Sequence, residues 1–513
     1  MPIDRLFLCG TILPGPTGPA VRRGAVAVAA GRVAALLGPA EAADLRRAGC
    51  PTADFGGAVA VPGLWDAHVH LLLDGLARTQ LDLGPARSLA EVVDLIRSAA
   101  RGGGDAEILV AGNLDEGRLA EGRLPTGPEL DAAAPGRPVI VIRVDSHAAV
   151  VNGAAARRLE IDESWPGVDR DAAGRPTGVL RGRANELARA RLFSRLGEAA
   201  KLTAYRAAAA GAASRGVVAL CALEGGQFLG VGDARLLEEH RAALPVDVYV
   251  FPQTCDVAAA RRLGLPRLGG CLLLDGSIGS WTAALSEPYA DRPGSRGELY
   301  FADDELNALV LTAHAAGLQL AFHAIGDRAV NQLVNAYELA AAEYPRPQTR
   351  HRLEHGELIA PRDWARLAAL GVVLSAQPAF EREWGGPGGL YERRLGPARR
   401  RRTNRLRTAL RAGVLLAGGS DANITPVDPL GGIAAAMTHP TPEERLTFAE
   451  AFAAFTAGAA ASVFAENEGG TLAPGKLASF TVVARDPRAL APPEVAALEV
   501  VATVVRGEVV YQK

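Results

Sequence analysis

Two textures alternate through the middle of the chain. Short apolar runs closed by Gly, Pro or Asp, such as "GVVALCALEG" (216–225), "VDVYVFPQ" (246–253) and "GVVLSAQP" (371–378), alternate with Ala/Leu-rich stretches such as "DDELNALVLTAHAAG" and "PRDWARLAALG". Near-continuous apolar runs mark strands buried on both faces, and the longer stretches read as helices. Eight such strands are predicted, at 63–70, 216–225, 246–253, 270–276, 318–327, 351–359, 371–378 and 413–421. This alternation predicts an α/β fold, a (β/α)8 barrel whose active site lies at the C-terminal ends of the strands. The stretch from about 78 to 215 exceeds one connection and is predicted to hold an inserted subdomain, with strands at "EILVAGN" and "RPVIVIRVDSH".

The two ends share a third texture, valine-rich runs punctuated by Gly and Pro: "RLFLCGTILPG" and "GAVAVAAGRVAALLG" at one end, "LASFTVVARDP" and "VVRGEVVYQK" at the other. Neither end has enough strands for a sandwich alone. Residues 1–60 and 469–513 are therefore predicted to build one composite β-sandwich, with a catalytic barrel at 61–468 between them.

Composition narrows the function classes. The chain has 513 residues, 49% of them hydrophobic, and a formal net charge of -2, so a large core is expected and no general basic field for nucleic acid. The run Arg399 to Arg402 lacks interleaved aromatics or glycine and reads as a solvated loop. No apolar run has the length of a transmembrane helix, and five scattered cysteines argue against a disulfide framework. A cytoplasmic enzyme with a small-molecule substrate and no nucleic-acid or membrane partner is expected; a homodimer is left open.

The chemistry collects at predicted strand ends. His68 and His70, two apart in "DAHVH", share a side of the first strand and so can hold one metal ion. His323 falls at the end of the fifth strand, His355 of the sixth and Asp421 of the eighth, whereas His240, His314 and His439 read as structural. Imidazoles with a carboxylate suit zinc, with iron, manganese or nickel as other candidates.

The motifs "VPGLWDAHVH", "LDGSIGSWTAALSEPY", "LAFHAIGDRAV", "HRLEHGELI", "LSAQP" and "GSDANITPVDPL" resemble the amidohydrolase superfamily, in the branch that includes N-substituted formamide deformylase. The resemblance implies His68 and His70 as ligands of a more buried metal and His323 and His355 as ligands of a second. It makes Asp421 both a ligand and the general acid/base. It also places His147, Asn152, Asp275 and Ser277 near substrate; turn or cap roles are the alternative for these four. Trp281 stands where relatives often have arginine and is read either as narrowing the pocket or as a packing aromatic. The expected reaction is hydrolysis of the C–N bond of a small N-formyl, N-acyl or cyclic amide. Alternatives are deamination of an amidine- or enamine-like substrate, a one-metal lyase, isomerase or decarboxylase, and a silent binding protein.

One position departs from that pattern. Relatives with two metals usually carry, four residues before the Asp of "DGS", a lysine that CO2 carboxylates into a bridge. Here that residue is Cys271, and the only lysines are Lys201, Lys476 and Lys513, all outside the predicted barrel strands. Three readings follow: Cys271 thiolate bridges two zinc ions, as D-aminoacylase relatives resemble; one ion remains and Cys271 is a small buried hydrophobe; or another acid such as Glu224 completes the site. A thiol is shorter than a carboxylated lysine, so the first reading requires the backbone to approach the metals more closely.

Overall fold

A computed structural model describes residues 2–102, 108–226 and 231–513. Eight parallel strands form its centre: β1 Leu64–Val69, β2 Val217–Gly225, β3 Asp247–Gln253, β4 Arg267–Leu273, β5 Gln319–Ala324, β6 Arg352–His355, β7 Val373–Ala376 and β8 Leu415–Gly418. They pair as two sheets, β3–β2–β1 and β4–β5–β6–β7–β8, rather than as one continuous ladder. At the β8/β1 seam a parallel bridge joins Val69 to Ala422. There the His70 amide donates to the Ala422 carbonyl and the Asp421 amide to the His68 carbonyl, both at 2.8 Å.

The β3/β4 seam has a physical cause. Between Leu268 and Leu272 the register against β5 slips, so that four steps along β4 match two along its partner. Gly269 (φ +102°) and Gly270 (φ +63°) make this bulge, and a Cβ on Gly269 would lie 2.1 Å from the Ala321 carbonyl oxygen. In place of a ladder bond, the Gln253 side chain donates to the Cys271 carbonyl at 2.8 Å. The predicted fourth strand, 270–276, accordingly starts and ends three residues too late. Asp421 likewise lies beyond the end of β8, in a turn.

The apolar alternation of β5 to β8 packs Leu320, Phe322, Leu353, Leu374 and Leu416 against Leu306 and Val310 of helix Asp303–Ala315 and Leu333 and Val334 of helix Asp327–Glu343. Strands from both ends of the chain share one sheet. Its order is Glu508–Gln512, Val500–Val505, Phe480–Val483, Val59–Pro62, Arg5–Ile12, Val21–Ala29, Arg32–Leu37, with Thr52–Asp54 beside Arg5–Ile12. It folds over Phe7, Phe55 and Phe480, the first and last meeting edge-on at 5.3 Å. Thr481 ties it to the centre by accepting from the Leu64 amide at 3.2 Å and donating to the Gly216 carbonyl at 2.6 Å.

Between β1 and β2 lies a separate six-stranded sheet, ordered Val168–Arg170, Pro176–Arg181, Ala148–Val151, Val139–Arg143, Leu109–Leu114, Leu81–Asp82. The stretch "EILVAGN" is strand from Leu109; its first residue, Glu107, lies outside the described residues. The basic run is only in part the solvated stretch expected from charge: Arg401 is exposed, but Arg400 is buried, paired with Glu392 at 3.0 Å and donating to the Gly385 carbonyl at 3.1 Å. No helix among the described residues is long and apolar enough to cross a membrane.

A buried relay of histidines lies at the start of β5. The Leu320 amide donates to His351 Nδ1 at 3.0 Å, which fixes the tautomers that follow. His351 Nε2–H donates to His314 Nδ1 at 2.9 Å, and His314 Nε2–H to the Tyr344 carbonyl at 2.7 Å. Burial, then the neighbouring His314 and Arg346, push the pKa of His351 down to about 3. An unfolded histidine titrates near about 6.5, so between these values only the unfolded chain takes up the proton. Stability should therefore fall as pH drops below about 6.5, by up to about 1.4 kcal/mol per pH unit from this group. Denaturant midpoints from pH 7 to pH 5 should fall less steeply in His351→Gln than in the wild type; equal slopes would remove His351 as the cause.

Candidate metal centre and active site

Each imidazole predicted as a ligand has one nitrogen anchored and the other turned inward. His68 Nδ1 donates to Glu354 Oε2 at 2.7 Å, and His70 Nδ1 to the Leu223 carbonyl at 3.1 Å. Their Nε2 atoms each lie 3.2 Å from Asp421 Oδ1. His323 Nε2 donates to the Gly276 carbonyl at 3.1 Å and His355 Nδ1 to Gln377 Oε1 at 2.8 Å. The remaining nitrogens, His323 Nδ1 and His355 Nε2, each lie 3.6 Å from Cys271 Sγ. Two donor groups result, His68 with His70 and Asp421, and His68 with Cys271 and His355. Outer hydrogen bonds of this kind fix ring orientation at metal sites.

The donor set fits a divalent ion on three counts. His68 Nε2 and Asp421 Oδ1 are buried without a hydrogen-bond partner among the described residues, which an apo protein does not retain without cost. Zn–S of about 2.3 Å and Zn–N of about 2.0–2.1 Å in a tetrahedral site give an S···N edge of about 3.6 Å, the separation observed on both sides of Cys271. Finally, burial would push the Cys271 thiol up, but His323, His355 and His68 outweigh it and hold the group well below the ordinary thiol range. Asp421 is likewise held low against burial, chiefly by His68 and His70. His355 and Asp421 adopt left-handed backbone, at φ 70° and 56°, a conformation non-glycine residues seldom hold without cause.

Behind the centre, the interior carries charge. Arg352, fully buried, donates to Glu354 at 2.7 and 3.0 Å, to the Ala67 carbonyl at 2.6 Å and to Ser375 Oγ at 3.0 Å. Burial opposes ionisation of Glu354, yet Arg352 and His68 lower its pKa to about 2, so a carboxylate orients His68. The sequence signal for this pair was two charges, two apart, inside the apolar strand "HRLEH".

The other predicted site residues divide. His147 lines the cavity beside the centre, its ring 5.2 Å from that of His323. Ser277 lines the adjoining space and donates from Oγ to Asp145, a residue not singled out in the sequence; Asp145 is also held by Arg143 Nη1 at 2.7 Å. Asp275 does not face the cavity. It accepts from the amides of Ala284, Ile325 and Gly326 at 2.8, 3.0 and 2.8 Å and stands 3.5 Å from His323 Nε2, so it shapes the turns that hold that ring. Asn152 is a cap and not a substrate contact: its Oδ1 accepts from Val139 and Ala155 and its Nδ2 donates to the Arg137 carbonyl, which occupies the side chain. Trp281 lies outside the cavity lining, stacked 3.6 Å from the Arg394 guanidinium and donating to Asp291 at 3.0 Å, which makes it the packing aromatic. Glu224, the third reading for the missing bridge, lines the cavity but binds the Leu72 amide at 3.1 Å and the Tyr205 hydroxyl at 3.2 Å and belongs to neither donor group.

The sequence pattern of the amidohydrolase family matches residues 52–511, and the chain belongs to that family. It is 31% identical over 490 residues to the YtcJ protein of Bacillus subtilis (strain 168), covering 89% of this chain and 90% of that one. It is 27% identical over 546 residues to the N-substituted formamide deformylase of Arthrobacter pascens, covering 95% of both. An uncharacterized metal-dependent hydrolase from Pyrococcus furiosus superposes with a TM-score of 0.74 at 29% identity, covering 94% of this chain and 99% of that one. The fold is thus that of the metal-dependent hydrolases, a TIM-barrel fold with an additional domain.

Proposed function

We propose that this protein hydrolyses a C–N bond in a small N-formyl, N-acyl or cyclic amide, using zinc held by His68, His70, Cys271, His323, His355 and Asp421, with the Cys271 thiolate between two ions. The closed barrel over about 61–468 would be the catalytic unit, with the sheet from both termini and the inserted sheet as its supports. The observation that carries this reading is the unpartnered Asp421 Oδ1, equidistant from two inward-facing imidazole nitrogens at the floor of a cavity.

A bound divalent ion supplies positive charge that polarises a carbonyl and acidifies water. Asp421 receives the proton of the attacking water on Oδ1 and returns it to the departing nitrogen, acting as base and then as acid. His147 is kept neutral, because burial and then His323 push its pKa down to about 3, and its ring N–H can donate to the oxygen that gains charge. The relative named for formamide deformylation supports an amide substrate.

The test is metal analysis of the purified protein followed by a screen of formyl and acyl amides beside amidines. Release of amine from an amide, lost on chelation and restored by zinc, is expected. Turnover of amidines alone would replace the amide reading by deamination, and a metal-loaded protein inert towards both would end the hydrolase reading.

A further inference from the structure

We infer that the substrate joins an aromatic arm bearing a hydrogen-bonding polar group to a second, polar arm, the two arms lying in separate chambers that meet at Asp421. The inference rests on the hydrolase reading above. Two cavities share a floor of Asp145, His147, His323, His355 and Asp421. Beyond that floor their walls differ. One carries ionisable groups, Glu186, Arg189, Glu224 and Asp233, among apolar ones such as Leu73 and Phe193, and the Arg189 Nε is buried without a partner among the described residues. That chamber suits a polar group able to accept a hydrogen bond.

The other chamber is bounded by Ile278, Ile325, Phe380, Trp384, Leu390 and Tyr391. Its aromatic wall runs without a break from the metal centre. The His355 ring lies parallel to Phe380 at 6.2 Å and 11°, Phe380 meets Trp384 edge-on at 5.0 Å, and Trp384 meets Tyr391 at 6.4 Å. Such walls reward a flat ring through offset and edge contacts as well as through burial, and reward a flexible chain only through burial. The cation on this side, Arg143, is locked by Glu116 at 2.8 and 3.1 Å and by Asp145 at 2.7 Å, so the chamber offers no free charge to a carboxylate arm.

Beyond the shared floor, one polar atom of the lining is left unbonded among the described residues. Glu357 lines the chamber, is 3% exposed, and its Oε2 has no hydrogen-bond partner among the described residues. A buried polar atom left unbonded is unfavourable, and a hydrogen-bonding group on the ligand would satisfy it. An aromatic hydroxyl, which can both donate and accept, is a group of that chemistry that also fits between the rings.

The test uses methyl ketones, in which carbon replaces the scissile nitrogen, titrated calorimetrically into the zinc-loaded full-length protein. The probes are 4-phenylbutan-2-one, 4-(4-hydroxyphenyl)butan-2-one and decan-2-one, the first and last with equal carbon counts. The phenyl ketone should bind at least about tenfold tighter than decan-2-one, and the hydroxyl should add about tenfold more. Glu357→Met should remove only the hydroxyl gain, and Trp384→Ala only the ring preference, with zinc content unchanged; Phe380→Leu replaces the latter variant if it does not fold. Equal binding of ring and chain, or a ring preference that survives both wall variants, overturns the aromatic chamber. A hydroxyl gain that survives Glu357→Met overturns the contact with Glu357. Ring preference in a protein that turns over no amide would sink the hydrolase reading alone, and turnover without ring preference would sink this inference alone.

Discussion

Asp421→Asn should lower kcat/KM by about 10³-fold or more while leaving the fold intact. The expected size combines two losses. The amide oxygen of asparagine cannot take a proton from water at neutral pH, which removes the acid/base step. The neutral side chain also withdraws the negative charge that faces His68 Nε2 and His70 Nε2 at 3.2 Å. Asparagine is the informative replacement because the backbone here is left-handed, at φ 56°, and Asn tolerates that region as Asp does. The bonds that hold the turn are main-chain ones, from the Asp421 amide to the His68 carbonyl at 2.8 Å and from the Ile424 amide to the Asp421 carbonyl at 2.6 Å, and both survive the exchange. Steady-state kinetics with any substrate found by the amide screen, beside a thermal melt of the metal-free variant, make the check. A loss under about tenfold would remove Asp421 from the chemistry.

Cys271→Ala should reduce bound metal from about two equivalents per chain to about one or fewer, with activity falling in parallel. The sulfur stands 3.6 Å from inward-facing nitrogens of two different rings, and the low thiol pKa supplies the thiolate that a bridge requires. Alanine leaves His323 Nδ1 and His355 Nε2 without the sulfur between them, so an ion held there would lose the thiolate as a donor. The cavity created is one sulfur atom in size, so destabilisation of the fold itself stays small against the loss of metal. Elemental analysis of protein purified with limiting zinc is the measurement. Unchanged stoichiometry would remove Cys271 as the bridge, and about one equivalent in both proteins would leave a single ion with Cys271 as a buried hydrophobe.

What could be read from sequence followed periodicity. His68 and His70 stand at the end of an apolar run, and His323, His355 and Asp421 close others, so strand ends alone collected them. What could not be read depends on contacts between distant segments. Phe380, Trp384 and Tyr391 fall in helices after β7, Arg189 lies in the inserted region, and neither the aromatic wall nor the polar one has a local signature. Asn152 misled because a cap and a ligand contact use the same side chain, and only the bonds to Val139, Ala155 and Arg137 separate them. The fourth strand was placed three residues late, because only its pairing with β5 shows that Gly269 and Gly270 form a bulge within the strand.

That bulge has a consequence for how the chain could change. A cysteine extends only Cβ and Sγ beyond its backbone, so β4 must carry residue 271 close to the imidazoles, and Gly269 and Gly270 permit the detour. A lysine side chain placed on this path would extend further from the backbone than the cysteine does. Residue 271 and the two glycines before it therefore act as one geometric unit, because a Cβ on Gly269 would lie 2.1 Å from the Ala321 carbonyl oxygen and would disturb the path that sets the reach of the sulfur.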